Sequence, residues 1–237
     1  MAGAVETFAA NLGWRIAKSN VLVEGTRDVA IIEHAAELYA AEHGVQLLTG
    51  ELAVIAAGYG DQGGVGGINR RLITARVLAG SDPDEHGRLR HRFIGLYDND
   101  RAGQGAIRAV SAADITVRPF SEVFLLRPVM SLKGGVDANA LKTRFERDNA
   151  AFPQLDWEIE DLVSEDVLKA FEADFPTAVF RTRSAGGRTH RDFTDTGKGN
   201  LVDYVRDYAT LADVTEVIKL IRALRDYTHL RIDHIVV

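Results

Sequence analysis

The sequence predicts an α/β fold: a parallel sheet covered by helices, followed by a mainly helical C-terminal region. Short β-type runs alternate with longer helical patterns through the first half, the signature of strands joined by helical crossovers. Two clusters of acidic residues sit where hydrophobic runs end, and beyond Arg127-Pro128 helical patterns take over. At 237 residues with 46% apolar side chains, the chain can bury a substantial core, as one elaborated domain or two small ones.

Taken in order, residues 8–18 read as a short helix leading into a strand at 20–23. Residues 28–42 place Val29, Ile31, Ile32, Ala35, Ala36, Leu38 and Tyr39 close to helical spacing, so a helix is expected there. A strand at 52–57, a helix at 67–78, an exposed loop at 81–87 and a strand at 93–97 follow. A helix at 102–112 and strands at 115–117 and 123–126 complete a first domain, 1–127. The second region, 128–237, opens with a loop at 131–136 and continues with helices at 138–147, 164–175, 200–210 and 214–227. Ser164 is placed to cap the second of these helices.

With no Cys there is no disulfide, thiolate zinc site or Cys nucleophile, so any metal must be held by oxygen or imidazole. Residues 1–6 lack the basic and apolar regions of a signal peptide, and no run of about 18 apolar residues could span a bilayer. A cytoplasmic protein with no membrane partner is therefore expected. The formal charge of −6 argues against a uniformly positive surface for nucleic acid. The charges are nonetheless segregated: 156–174 holds eight carboxylates against Lys169 alone, and 181–191 holds four Arg, one His and no acid.

The acidic clusters carry the most chemistry. In an open α/β sheet, ligands bind beyond the carboxyl ends of the parallel strands, so carboxylates there converge although they are distant in sequence. Glu24 follows Val21-Leu22-Val23 and precedes Gly25, whose lack of a side chain lets a ligand approach. Asp28, four residues on at the helix start, can face the same crevice. Alone, these two read equally as a solvated loop acid and a partner of the helix dipole. Asp98 and Asp100, after Phe93-Ile94-Gly95-Leu96-Tyr97, are harder to leave bare. Two like charges about 4 Å apart repel by roughly 4 kcal/mol at an effective dielectric of about 20. Mg²⁺ or Mn²⁺ would remove that repulsion; the alternative is an Asx-rich turn with Asp100 capping the next helix.

Gly58-Tyr59-Gly60-Asp61-Gln62-Gly63 fits Gly-x-Gly-x-x-Gly after a strand, but no acid at the end of a following strand is a convincing partner for a ribose. Turn chemistry, or phosphate contact at a helix N-terminus, is expected there instead of a cofactor. Arg181, Arg183, Arg188, His190 and Arg191 surround Ser184-Ala185-Gly186-Gly187 as a flexible basic loop. Such a loop can grip a nucleic-acid backbone or simply balance the acidic run before it. Arg88, Arg90 and Arg92 form a lesser basic patch.

Val23-Glu24-Gly25 with an acid four residues on, Asp98-Asn99-Asp100 ending a hydrophobic strand, and Arg101-Ala102-Gly103 after it resemble the Toprim domain of topoisomerases, bacterial primases and several nucleases. The resemblance covers residues 18–127 and implies a compact Rossmann-like sheet with Mg²⁺-dependent phosphoryl transfer on nucleic acid. The chain is too short for topoisomerase clamp domains. Its lack of Cys departs from the zinc modules of bacterial primases and of the superfamily's recombination mediator. The second region resembles the overcoming-lysogenization-defect nucleases, in which a further acid and a Lys complete a two-metal site. By that resemblance Glu160, in Ile159-Glu160-Asp161-Leu162, is the third acid, with Glu158 and Asp161 as rivals. Lys198, between Gly197 and Gly199 just before a helix, is the Lys that offsets charge on phosphate; alone it reads equally as a solvated side chain. The ATPase domain preceding Toprim in those nucleases is absent from this sequence, so ATP regulation would require a separately encoded ATPase partner.

The expected activity is that of a divalent-metal-dependent endonuclease acting on nucleic acid, DNA foremost. Glu24, Asp28, Asp98, Asp100 and Glu160 would bind one or two Mg²⁺ or Mn²⁺ ions, with Glu24, Asp98, Asp100 and Lys198 catalytic. Arg181, Arg183, Arg188 and Arg191 would bind nucleic acid. The alternatives are a nucleic-acid- or ATPase-binding Toprim subunit inactive alone, and primase-type nucleotidyl transfer. A homo-oligomer and a part in defence against phage accompany the nuclease expectation.

Overall fold

Val21, Leu22 and Val23 offer no polar face, and the strand they belong to, β1 (Ser19–Val23), is buried along its whole length. That is what a parallel strand covered on both faces requires. In the computed structural model, which describes residues 3–58, 64–153 and 155–237, β1 lies between β2 (Leu52–Ala56) and β3 (Arg92–Tyr97). A fourth strand, β4 (Val123–Leu125), pairs with β3, and all four are parallel in the order β2-β1-β3-β4. The chain leaves β1 toward β2 on one side and returns to β3 on the other. A crevice therefore opens beyond the carboxyl ends of β1 and β3. At the opposite end, Asn20 ties the two strands together: its side chain accepts from Ala17 N–H at 2.7 Å and donates to the carbonyls of Ala17 and Arg92.

One face of the sheet is covered by α1 (Ala4–Asn11), α3 (Gly64–Gly80) and α4 (Arg101–Ala113), around Leu22, Phe93 and Tyr97. The other face, with Val21, Val23, Ile94 and Leu96, packs on α2 (Thr26–His43). The second region adds α5 (Ala138–Asp148), a 3₁₀ turn at Ile159–Leu162 and α6 (Glu165–Asp174). A hairpin of β5 (Val179–Ala185) and β6 (Arg188–Phe193) follows, then α7 (Asp195–Tyr208) and α8 (Thr215–Tyr227). Both α7 and α8 lie against α2, and one core runs from Val21 to Ile235. Phe124, Phe171 and Leu52 are among its fully buried members, each contributing roughly 1.5–3 kcal/mol by leaving water. Residue 127 is thus a change of architecture within continuous packing. Among the described residues no helix is long and apolar enough to cross a membrane.

Four local expectations are corrected. Residues 8–18 are not one helix: α1 stops at Asn11, Gly13 takes a left-handed φ of 68°, and Trp14 N–H donates back to the Ala9 carbonyl. Residues 115–117 form a turn, not a strand, because the Asp114 carboxylate accepts from both the Thr116 N–H and its hydroxyl, leaving Ile115 exposed. Residues 181–191 are the β5–β6 hairpin and not a flexible loop; Gly186 and Gly187 both have positive φ, the two-residue turn that matches strand twist. Lys198 lies inside the first turn of α7 and not before it, since Thr194 caps the helix by accepting from Gly197 N–H. The glycine-rich motif at 58–63 falls, but for Gly58, outside the described residues.

Candidate active site beyond β1 and β3

Glu24 is the first residue past β1, and Gly25 opens α2. Gly25 N–H donates to Asp28 Oδ2 at 2.9 Å, which turns that carboxylate back toward the strand end. On the neighbouring strand Asp98 follows Tyr97, with its N–H 3.4 Å from Glu24 Oε1. Asp100 caps α4, its Oδ1 accepting from Gly103 N–H at 2.6 Å. Gly103 is required by this tight start: a Cβ there would lie 2.1 Å from the Asp98 carbonyl oxygen.

Asn99, buried between the two acids, brings in the second region. Its N–H donates to the Trp157 carbonyl and its Nδ2 to that of Leu155, each at 2.9 Å. The acids that follow are thereby held near the end of β3. Asp161 turns away from the cleft into a buried network, accepting from the N–H groups of Glu158 and Arg191, with His190 Nδ1 at 2.6 Å. Glu158 and Glu160 both meet Lys198, whose Nζ lies 2.7 Å from Glu158 Oε2 and 3.5 Å from Glu160 Oε1. Gly197 lets α7 begin there, because a Cβ would come within 2.5 Å of the Ala178 carbonyl oxygen.

These elements enclose a cleft of about 690 Å³ lined by Glu24, Asp28, Asp98, Glu160, Arg27 and Lys198. Arg27 pairs with Asp195 at 2.7 Å on its rim. Burial, with the charge of Asp100 adding to it, raises Glu24 to about 7. Burial and then the charge of Glu160 raise Asp28 to about 7 as well. Asp98 is pushed well above the usual carboxylate range by burial and by Asp28, Glu24 and Glu160. Burial opposes the charge on Lys198, but Glu160 and Glu158 more than compensate and its pKa is raised.

This donor set suits a hard divalent cation: the ligands are carboxylate oxygens, and their mutual repulsion is what a cation relieves. The oxygens are not assembled for one, however. Among the described residues no group of three or more carboxylate or imidazole side chains is placed to hold a metal ion. The cation lying against Glu158 and Glu160 is instead the Lys198 ammonium.

The structure thus brings together Glu24, Asp28, Asp98, Glu160 and Lys198, while Asp100 is engaged at the α4 cap. The four Arg lie on the hairpin with acidic partners. Arg191 is buried and bound to Glu165 and Glu172. Arg183 pairs with Asp156 and Asp192, Arg188 with Glu216, and exposed Arg181 lies 3.9 Å from Asp192. Sequence reasoning missed Arg27 and Asn99. Both stand inside the motifs it used, but nothing local marks one as a rim cation or the other as a buried clamp. Compared with protein-family models, with curated proteins and with solved structures, the chain matches none. Fold and site together define an α/β protein with a carboxylate-lined cleft at the switch point of a parallel sheet.

Proposed function

We propose that this cleft hydrolyses phosphodiester bonds of nucleic acid with the help of a divalent cation, as a Toprim-type nuclease. The observation that carries the reading is that Glu160 and Lys198, far along the chain, line the same cleft as Glu24, Asp28 and Asp98. Glu24, Asp28, Asp98 and Glu160 would hold Mg²⁺ or Mn²⁺, with Asp100 adding negative potential from the α4 cap. When bound, such an ion supplies Lewis acidity toward the phosphoryl oxygen and lowers the pKa of the attacking water. Lys198 stays an ammonium at working pH and donates to the oxygen on which charge develops. Arg27 offers a guanidinium at the rim where a phosphate enters.

One observation favours a second reading, a subunit inactive alone that gains activity with a separately encoded ATPase. Lys198 engages two of the acids, and among the described residues no three acids are assembled for a metal. The experiment is cleavage of plasmid, linear duplex, single-stranded DNA and RNA with Mg²⁺ or Mn²⁺. Cleavage lost in Glu24→Ala and Asp98→Ala is expected; activity unchanged in both would sink the nuclease reading. No cleavage by the wild type until an ATPase is added would select the second.

A further inference from the structure

A second cleft, of about 980 Å³ and lined in part by Asn99, opens between α4, the segment leading into β4 and the start of α5. Arg108, Arg118, Arg127 and Lys142 line it, in a protein of net charge −6. Its two acids are already engaged: Asp137 caps α5 through Ala140 N–H, and Asp156 pairs with Arg183. Arg118 and Lys142 have Glu122 and Glu146 at 3.8 and 3.7 Å. Among the described residues, neither Arg127 nor Arg108 has a carboxylate within ion-pair distance. Arg127 is also part-buried, so its charge is poorly solvated, and Glu146 acts on it only from beyond ion-pair distance. An anion in the cleft would answer both deficits.

An apolar recess of about 290 Å³ continues from this basic cleft, sharing Pro119, Phe120 and Arg127 with it. Phe120 holds a φ of 61°, a left-handed conformation that a non-glycine side chain adopts at a cost. That conformation sets its ring at the junction of charge and recess, edge-to-face with Phe145 at 5.3 Å. Guanidinium groups beside a flat apolar slot match a nucleotide unit: phosphate on the Arg side chains, base against the ring.

We propose that this cleft binds a nucleotide unit of a single-stranded nucleic acid, with phosphates on Arg127 and Arg108 and a base beside Phe120. Choosing a strand over a free nucleotide rests on the phosphodiesterase reading, because Asn99, which lines this cleft, directly follows Asp98, which lines the acidic one. The anion-and-ring chemistry does not depend on that reading. The test is fluorescence anisotropy of a labelled single-stranded oligonucleotide in EDTA, where hydrolysis is not needed. The variants are Arg108→Gln at an exposed position and the double variant with Arg127→Gln, each checked by thermal melting. The double variant is expected to bind about tenfold more weakly or worse, with a log–log salt slope smaller by about 1.4, at about 0.7 per lost phosphate contact. Arg108→Gln alone should lower the slope by about half of that. Affinity and slope unchanged in folded Arg108→Gln and in the double variant would overturn the proposal. So would competition by a mononucleotide at the concentration at which the oligonucleotide itself competes. Wild-type protein that cleaves nothing yet loses affinity in these variants would sustain this cleft while removing the nuclease reading. Cleavage with unchanged KM in the double variant would do the reverse.

Discussion

Asp161 and His190 face each other at 2.6 Å in a setting that leaves both side chains without solvent contact. Burial opposes the charge on His190, but the hydrogen bond and charge of Asp161 overcome it, and the His190 pKa is raised. The same carboxylate accepts from Glu158 N–H and Arg191 N–H, so it fixes both the acidic 3₁₀ turn and the hairpin. Although it sits among the cluster in sequence, Asp161 serves the cleft by holding Glu158 and Glu160 in place.

Asp161→Ala should therefore cost stability first. Removing one partner of a buried ion pair typically destabilises by about 3–5 kcal/mol. Asp161→Asn, which keeps one oxygen to accept from one of the two N–H groups, should cost less. Urea denaturation of the three proteins checks this order; a loss below about 1 kcal/mol in the Ala variant would contradict the hub role.

The glycines divide into two kinds, and alanine substitution separates them. Gly103→Ala and Gly197→Ala place a Cβ 2.1 Å from the Asp98 carbonyl oxygen and 2.5 Å from that of Ala178. Both should destabilise, and on the proposed reading both should impair cleavage by shifting Asp98 or Lys198. At Gly105 and Gly199 the nearest atoms, 4.0 and 3.9 Å away, belong to Arg side chains. There alanine should stabilise the helix by about 0.5–1 kcal/mol. Melting temperatures that fail to split the four variants this way would refute the argument.

Glu158 and Glu160 share Lys198, yet only Glu160 lines the cleft. On the proposed reading Glu160→Gln should lower cleavage at least 100-fold and weaken Mn²⁺ binding. Glu158→Gln should act mainly through Lys198, with Mn²⁺ affinity within a few-fold of wild type. Titration calorimetry with Mn²⁺ distinguishes the two, and equal losses would remove the preference for Glu160.

The sheet was legible because its strands are continuous apolar runs and its acids fall at strand ends, both properties of local sequence. Glu24, Asp28 and Asp98 were found that way, and Lys198 through a resemblance. What escaped depended on distant partners. Residues 181–191 read as a loop because Gly186-Gly187 and the Arg-rich flanks look polar. The flanks pair as strands only when His190 and Arg191 reach Asp161, Glu165 and Glu172. The start of α7 was hidden by Gly197 and Gly199, poor helix formers; close approach to Ala178 is what requires the first of them.

Arg191 and Arg181 lie on one hairpin and should behave oppositely when mutated. Arg191→Ala should cost on the order of 3 kcal/mol, the lower end for a buried pair, since Glu165 and Glu172 are partly exposed. Arg181, 63% exposed, should change stability by no more than about 0.5 kcal/mol. Any effect of Arg181→Ala on oligonucleotide affinity then reports contact and not folding, and denaturation beside anisotropy reads both.

The acid cluster also sets how stability depends on pH. In metal-free protein Glu24 and Asp28 are raised to about 7 and Asp98 is raised well above its usual range, against ordinary values of 4.5 for Glu and 3.8 for Asp. Between those limits the folded state binds more protons than the unfolded chain, so the free energy of unfolding falls as pH rises. Acids held low in the native state, such as Glu165 and Asp213, finish their opposing contribution near their ordinary values, so above about pH 5 the cluster acts together with Glu158, Asp161 and Glu33, which burial also raises. His190, raised, adds to the decline above 6.5, whereas His34 and His229, lowered by burial, oppose the decline below 6.5. The cluster is therefore read as the difference between wild type and Asp98→Asn. The melting temperature in EDTA should fall with pH in the wild type and fall less steeply in the variant. Mn²⁺ should stabilise the wild type more at pH 8 than at pH 5, because at pH 5 protons already neutralise the acids it would bind. A wild-type profile no steeper than that of Asp98→Asn would show that the three carboxylates are not electrostatically coupled.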